Sequence, residues 1–122
     1  MKAYRVEDMA GRLGIWRDFD GNISPVFEKL TDGKARNLPM PDDDFYRRGG
    51  SRWFASTDTA EKLKAWFSAT DIEQLCALGY KIVEFVVSEL VFKSEFESVF
   101  RREDVLSWRE VSPQDIWPEL AT

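Results

Sequence analysis

The sequence predicts an α+β domain, a small, mostly antiparallel sheet packed with two or three short helices. Three observations carry this. Tyr80–Val87 is a near-continuous run of β-branched and aromatic residues, the composition of a strand buried on both faces. Just before it, two stretches with apolar residues at helical spacing each follow a capping signal. Short alternating segments at Ala3–Val6, Ser51–Ala55 and Phe96–Arg101 read as further strands, and the close spacing of Tyr80–Val87 and Phe96–Arg101 predicts an antiparallel hairpin.

Taken in order, Ala3–Val6 places Tyr4 and Val6 on one face and Arg5 on the other. Gly11, Gly14 and Asp20-Gly21-Asn22 are turn signals, with Ile15-Trp16 a brief strand between them. Asp18–Asn22 is no calcium loop: with Gly21 at the sixth position, Trp16 and Phe27 fall where the first and twelfth ligands are required. Ser24–Leu30 reads as a short helix capped by Ser24, with Pro25 in its first turn and Gly33 ending it. Residues 34–50 form a long irregular loop holding Asp42-Asp43-Asp44, Arg47-Arg48 and Gly49-Gly50. After the strand Ser51–Ala55, Asp58 with Glu61 predicts one capped helix to about Phe67, and Thr70 with Glu73 predicts a second that ends at Gly79. Cys76 lies on that second helix's apolar face, as a packed thiol. Glu103–Trp108 reads as a helical turn. Residues 109–122 read as a C-terminal tail with a short helix from Ser112-Pro113 to Trp117.

Composition bounds the rest. With 122 residues, 43% hydrophobic and 32% charged, the chain reads as one globular domain over 1–122. A chain of this size buries roughly two-thirds of its unfolded surface, enough for a core without disulfides or metal. The net charge of −5 and the lack of a basic stripe argue against direct nucleic-acid binding. Having no histidine removes imidazole general bases, Ser-His and Cys-His pairs, and the usual zinc constellations. A single cysteine suits a reducing compartment, and no segment approaches the ~20 apolar residues of a membrane span. The expectation is a cytoplasmic chain without metal or cofactor. Of five Trp, three Tyr and nine Phe, some fill the core, and the number is also enough to supply anchors for a partner surface. Trp16, Phe45, Tyr46 and Trp117, with the acidic run Asp42, Asp43 and Asp44, are the candidate partner-binding residues.

Two family resemblances add to this. Arg5 on an opening strand, Ser56-Thr57 after a second and Glu95-x-Glu97 near a late strand resemble the order of the ADP-ribosyltransferase fold family. That resemblance implies an alternative reading as an enzyme or nucleotide binder using NAD, with Arg5 on phosphate, Ser56 on ribose and Glu97 at an oxocarbenium-like centre. Asp58 stands where the family has the third member of a Ser-Thr-Ser triplet.

A second set spans residues 4 to 102: Tyr4–Glu7, Leu38-Pro39-Met40-Pro41 with Asp42–Asp44, Trp53-Phe54-x-Ser56, Leu63-x-x-Trp66-Phe67, Gly79-Tyr80 and Val99–Arg102. It resembles small bacteriophage and prophage proteins, whose middle segment often carries His-Pro-x-Pro where this chain has Leu38. That resemblance implies an accessory protein in the host bacterial cytoplasm. Such a protein binds and inhibits a host protein, as anti-CRISPR proteins do, and an acidic surface suits a partner that itself grips nucleic acid.

Overall fold

The computed structural model describes residues 1–8, 13–14, 29–33 and 53–121. The strands are β1 (Lys2–Asp8), β2 (Leu13–Gly14), β3 (Trp53–Ser56), β4 (Tyr80–Val87), β5 (Phe92–Lys93), β6 (Ser98–Arg101) and β7 (Val105–Val111). The helices are α1 (Ala60–Trp66), α2 (Ala69–Ala77) and α3 (Pro113–Ile116), with 3-10 turns at Arg102–Asp104 and Pro118–Leu120. The architecture is α+β, and every described strand pairing is antiparallel. The strands sort into two sheets, ordered β2-β1-β4-β7 and β3-β6-β5.

The expected hairpin between β4 and the Phe96–Arg101 segment does not form. Both edges of β4 are taken, one by β1 and the other by β7. The segment expected to be a helical turn, Glu103–Trp108, makes only the 3-10 turn at Arg102–Asp104 before extending into β7. β6 pairs instead with β3 and β5. One isolated bridge links the sheets: Tyr4 N–H donates to Thr57 O at 2.7 Å and Thr57 N–H to Tyr4 O at 2.9 Å.

Alternation along β1 and β4 divides the core in two. Tyr4, Val6, Tyr80 and Ile82 face the helices and pack with Leu63, Trp66, Phe67, Ile72, Leu75 and Ile116. Ala3, Val83, Phe85 and Val87 face the other way, against Phe100 and Phe54 of the smaller sheet. β4 is thus buried on both faces, as its apolar run predicts. Trp117 is 3% exposed in the helix-side core, so it is no surface anchor. The segment expected as a tail completes β7 with Arg109–Val111 and closes that core with α3.

Both helices begin at caps other than those expected. Thr59, not Asp58, caps α1 and accepts from Lys62 N–H at 3.3 Å, because the Asp58 carboxylate is held by Lys62 at 2.7 Å and Lys93 at 3.0 Å. Ser68, not Thr70, caps α2 in a reciprocal box with Asp71. Asp71 is fully buried, and its second oxygen accepts from Gly33 N–H at 2.9 Å, tying residues 29–33 to α2. Gly33 (φ 55°) and Gly79 (φ 95°) adopt the left-handed conformation of helix-ending glycines. The strand at Ile15-Trp16, the helix from Ser24 up to Glu28 and the loop 34–50 lie outside the described residues.

Asp71→Ala removes a cap and leaves the Ser68 and Gly33 N–H groups without their acceptor. It is expected to lower the unfolding free energy by about 2–4 kcal/mol, and Asp71→Asn by less, in urea denaturation. A midpoint unchanged by Asp71→Ala would show that the box does not hold the two segments together.

Candidate functional site

The described residues bring together two polar clusters and one open hollow. The first cluster lies between the sheets. Glu7 is buried on β1, and its Oε2 accepts from Arg5 Nε at 2.8 Å and from Arg102 Nη2. Arg5 also donates to Ala55 O at 2.8 Å. The Arg102 guanidinium lies 4.5 Å from the centroid of Phe54 and 4.7 Å from that of Phe85, and Arg5 lies 5.0 Å from Phe54. One carboxylate and two ring faces therefore share two cations in a water-poor site.

The residues of the nucleotide-binding alternative fall beside this cluster. Arg5 is 4% exposed and Ser56 is fully buried, its Oγ 2.8 Å from Ser98 Oγ and donating to Ser98 O at 3.0 Å. Glu97 closes the β5–β6 turn through its backbone: its N–H donates to Ser94 Oγ at 3.3 Å, and its carbonyl accepts from Ser94 N–H at 2.7 Å. Two of the Arg5 donors are already engaged, by Glu7 and by Ala55 O. Cys76 is half-buried, and burial pushes its thiol up and away from the thiolate form.

The second cluster is a ladder across the larger sheet. Tyr4, Glu84 and Arg109 stand opposite one another on β1, β4 and β7. Tyr4 Oη donates to Glu84 at 2.8 Å, and Arg109 donates from Nε at 3.2 Å and Nη2 at 3.0 Å. Burial, followed by the hydrogen bond to Glu84, pushes the Tyr4 phenol up to about 12. Burial alone would raise Glu84, but the bonds from Arg109 and Tyr4 and the charges of Arg109 and Lys2 outweigh it and hold the carboxyl below its usual range.

The hollow, about 630 Å³, is lined by Met1, Lys2, Asp58, Glu89 and Leu90–Lys93. Its apolar members reach solvent: Phe92 is 41% exposed, and Met1 and Val91 are exposed with it. Lys2, Lys93 and the Met1 amino group line it together with Asp58 and Glu89, and Lys93 pairs with Asp58 at 3.0 Å, so the rim carries both signs. β5, on its flank, is an outer strand of the smaller sheet. Apolar contact area inside a mixed polar rim is the make-up of a protein-contact surface.

Of the sequence-derived partner residues, Trp16 and Asp42–Tyr46 lie outside the described residues, and Trp117 is buried. The sequence reading missed Glu7, Glu84, Arg102, Arg109 and the hollow. A signal existed for Glu84: a carboxylate within the apolar run Tyr80–Val87 demands a partner. Phe92 had none, because Ser88–Lys93 reads equally as strand or turn.

Fold and site together define a small α+β protein whose buried charges serve its scaffold and whose apolar contact area lies at the ends of its strands. A family model for the bacteriophage T4 Y00F protein matches residues 1–114, and the chain belongs to that family. No curated protein and no solved structure matches it. Among the described residues, no helix is long and apolar enough to cross a membrane.

Glu7→Ala leaves the buried Arg5 and the half-buried Arg102 without their shared carboxylate and is expected to cost about 3–5 kcal/mol in chemical denaturation, whereas a loss below about 1 kcal/mol would mean that the cluster is dispensable. The ladder makes a pH signature. Glu84 titrates lower in the folded state, so its stabilisation is present above the ordinary value of 4.5 and is lost as pH falls through the folded value. Tyr4 titrates higher when folded, so its stabilisation is present below pH 10.0 and is lost as pH rises toward about 12. Thermal melts across pH should show Tyr4→Phe flattening the alkaline fall and Glu84→Gln flattening the acid one. Identical profiles for both variants and the parent would refute the assignment.

Proposed function

We propose that the chain is a phage accessory protein that acts by binding and inhibiting a protein of the infected host, a defence component in the manner of anti-CRISPR proteins, rather than by turning over a substrate. The observation that supports this is the exposed Phe92 at the hollow of Met1, Lys2, Asp58 and Glu89–Lys93. An aromatic beside a rim of both charges has the make-up of an interface anchor. Membership of a phage protein family supports the setting. The buried engagement of Arg5 with Glu7 and of Ser56 with Ser98 favours binding over catalysis. In this reading Asp42–Asp44, Phe45, Tyr46 and Trp16 also bind the partner, and the acidic balance of −5 speeds encounter with a partner that grips nucleic acid.

Tagged protein expressed in the host bacterium should retain a stoichiometric host partner. Phe92→Glu should weaken that complex by about 10- to 100-fold while the fold, read by circular dichroism, is unchanged. Recovery of no partner would overturn the reading, and full binding by Phe92→Glu would move the contact away from the hollow.

A further inference from the structure

β7 is the outermost strand of the larger sheet among the described residues. It is seven residues long, with neither glycine nor proline. The outer strands β2 and β5 have two residues each. Long sheet edges are usually covered, broken by proline or guarded by charge, because they offer a template for another strand. β7 carries one charge of each sign, Arg109 and Glu110, beside two exposed apolar side chains, Leu106, 70% exposed, and Trp108, 57% exposed. Trp108 also ends a row. Ala3 of β1, Phe85 of β4 and Trp108 of β7 stand side by side in register, and the first two are buried. The apolar row runs from the core to the free edge and stops at an aromatic with no described strand beyond it.

We propose that a second copy of this chain pairs with β7, antiparallel, about a two-fold axis at Trp108, joining two four-stranded sheets into one of eight strands. Symmetry and charge select the register. Residues directly opposite in an antiparallel pair point to the same face, and a two-fold perpendicular to the sheet preserves faces, so the axis passes through a residue and not between two. An axis at Arg109 sets two guanidinium groups opposite each other, and one at Ser107 runs into the bulge at Leu106 and pairs only Leu106–Trp108. An axis at Trp108 sets Trp108 against its copy, Ser107 against Arg109 and Leu106 against Glu110. That register spans Leu106–Glu110 with no like charges opposed, and Val105, turned to the other face from Val111 by the bulge, lies beyond it. The row Ala3, Phe85, Trp108 then continues into its own mirror image.

Leu106 marks the limit of the ladder. It falls at a bulge, between the pairs Val86↔Ser107 and Val87↔Val105, and has no partner of its own on β4. The contact is therefore centred on Trp108 and small, under about 1,200 Å² in total, the class of weak and transient associations. It closes at two copies, because pairing uses both β7 edges and the two-residue outer strands offer little to extend. The contact is independent of the hollow beside β5.

Sedimentation of the full chain from about 10 to about 500 µM tests this. The mass should rise from 14.2 kDa toward twice that value, and Trp108→Lys should hold it at the monomer throughout while leaving the melting curve of dilute protein unchanged. Register is tested in a Cys76→Ser background: Trp108→Cys should form an intermolecular disulfide under mild oxidation, and Glu110→Cys, which faces Leu106 of the copy, should not. A monomer at every concentration, a dimer that survives Trp108→Lys, or equal cross-linking at both positions would overturn the proposal.

Discussion

The fold depends on the Glu7 carboxylate being satisfied between two arginines from different parts of the chain. A lone carboxylate in an apolar interior is strongly destabilising, and so is a lone guanidinium. Glu7 and Arg5 are two residues apart on β1, so they share a face and meet locally. Arg102 follows β6 and belongs to the other sheet's connections, so its ion pair to Glu7 fixes the two sheets relative to each other. Phe54, Phe85 and Phe100 lie under the guanidinium of Arg102, and Phe54 and Phe85 each lie against Phe100, with centroids 5.8 and 5.0 Å apart. The aromatic packing and the charge cluster are thus one structure. Loss of either exposes the other to the wrong solvent.

That constraint explains why two sheets form and not one. β1 is bonded to β4 along its whole length, and its other edge is shared between β2 and the Tyr4–Thr57 bridge. The smaller sheet leaves the larger one at that bridge and turns its Phe54 and Phe100 onto Phe85. A flat continuation would leave those rings in water. The Ser56–Ser98 hydroxyl pair holds β3 to β6 at the buried end of that turn. Ser56, which reads as a possible ligand-binding hydroxyl from sequence order, is used in sheet pairing.

Periodicity revealed most of the scaffold. The apolar run of β4, the helical stripe of Leu63, Trp66 and Phe67, and Gly79 as a helix terminator were all legible, because each is encoded within a few residues. Strand partnership was not. Phe96–Arg101 lies close enough in sequence to pair with Tyr80–Val87, and only the competition of β1 and β7 for β4 decides otherwise. The caps slipped by one and two residues for a similar reason. Asp58 and Thr70 are good cap residues by type, but Lys93 claims the first, and Gly33 helps fix Asp71, which belongs to the box of Ser68. The candidate site was least legible, since exposure of Phe92 and Trp108 follows from how strands end and which edges stay open.

Where the charges lie bears directly on what the chain can do. A protein without histidine draws any chemistry from carboxylates, cationic side chains, hydroxyls and, here, one thiol. Among the described residues, Glu7, Arg5, Glu84, Ser56 and Ser98 of that set are buried and each is engaged: Glu7 with Arg5 and the half-buried Arg102, Glu84 with Tyr4 and the exposed Arg109, Ser56 with Ser98. A catalytic group must present a bond to substrate at the moment of reaction, and these present theirs to the scaffold. The same engagement frees the strand ends and the outer edge from structural duty. Exposed aromatic residues there cost solubility without adding to the core, an arrangement that contact with another surface offsets. The distribution of burial, more than any motif, is what directs the functional reading of this chain toward binding.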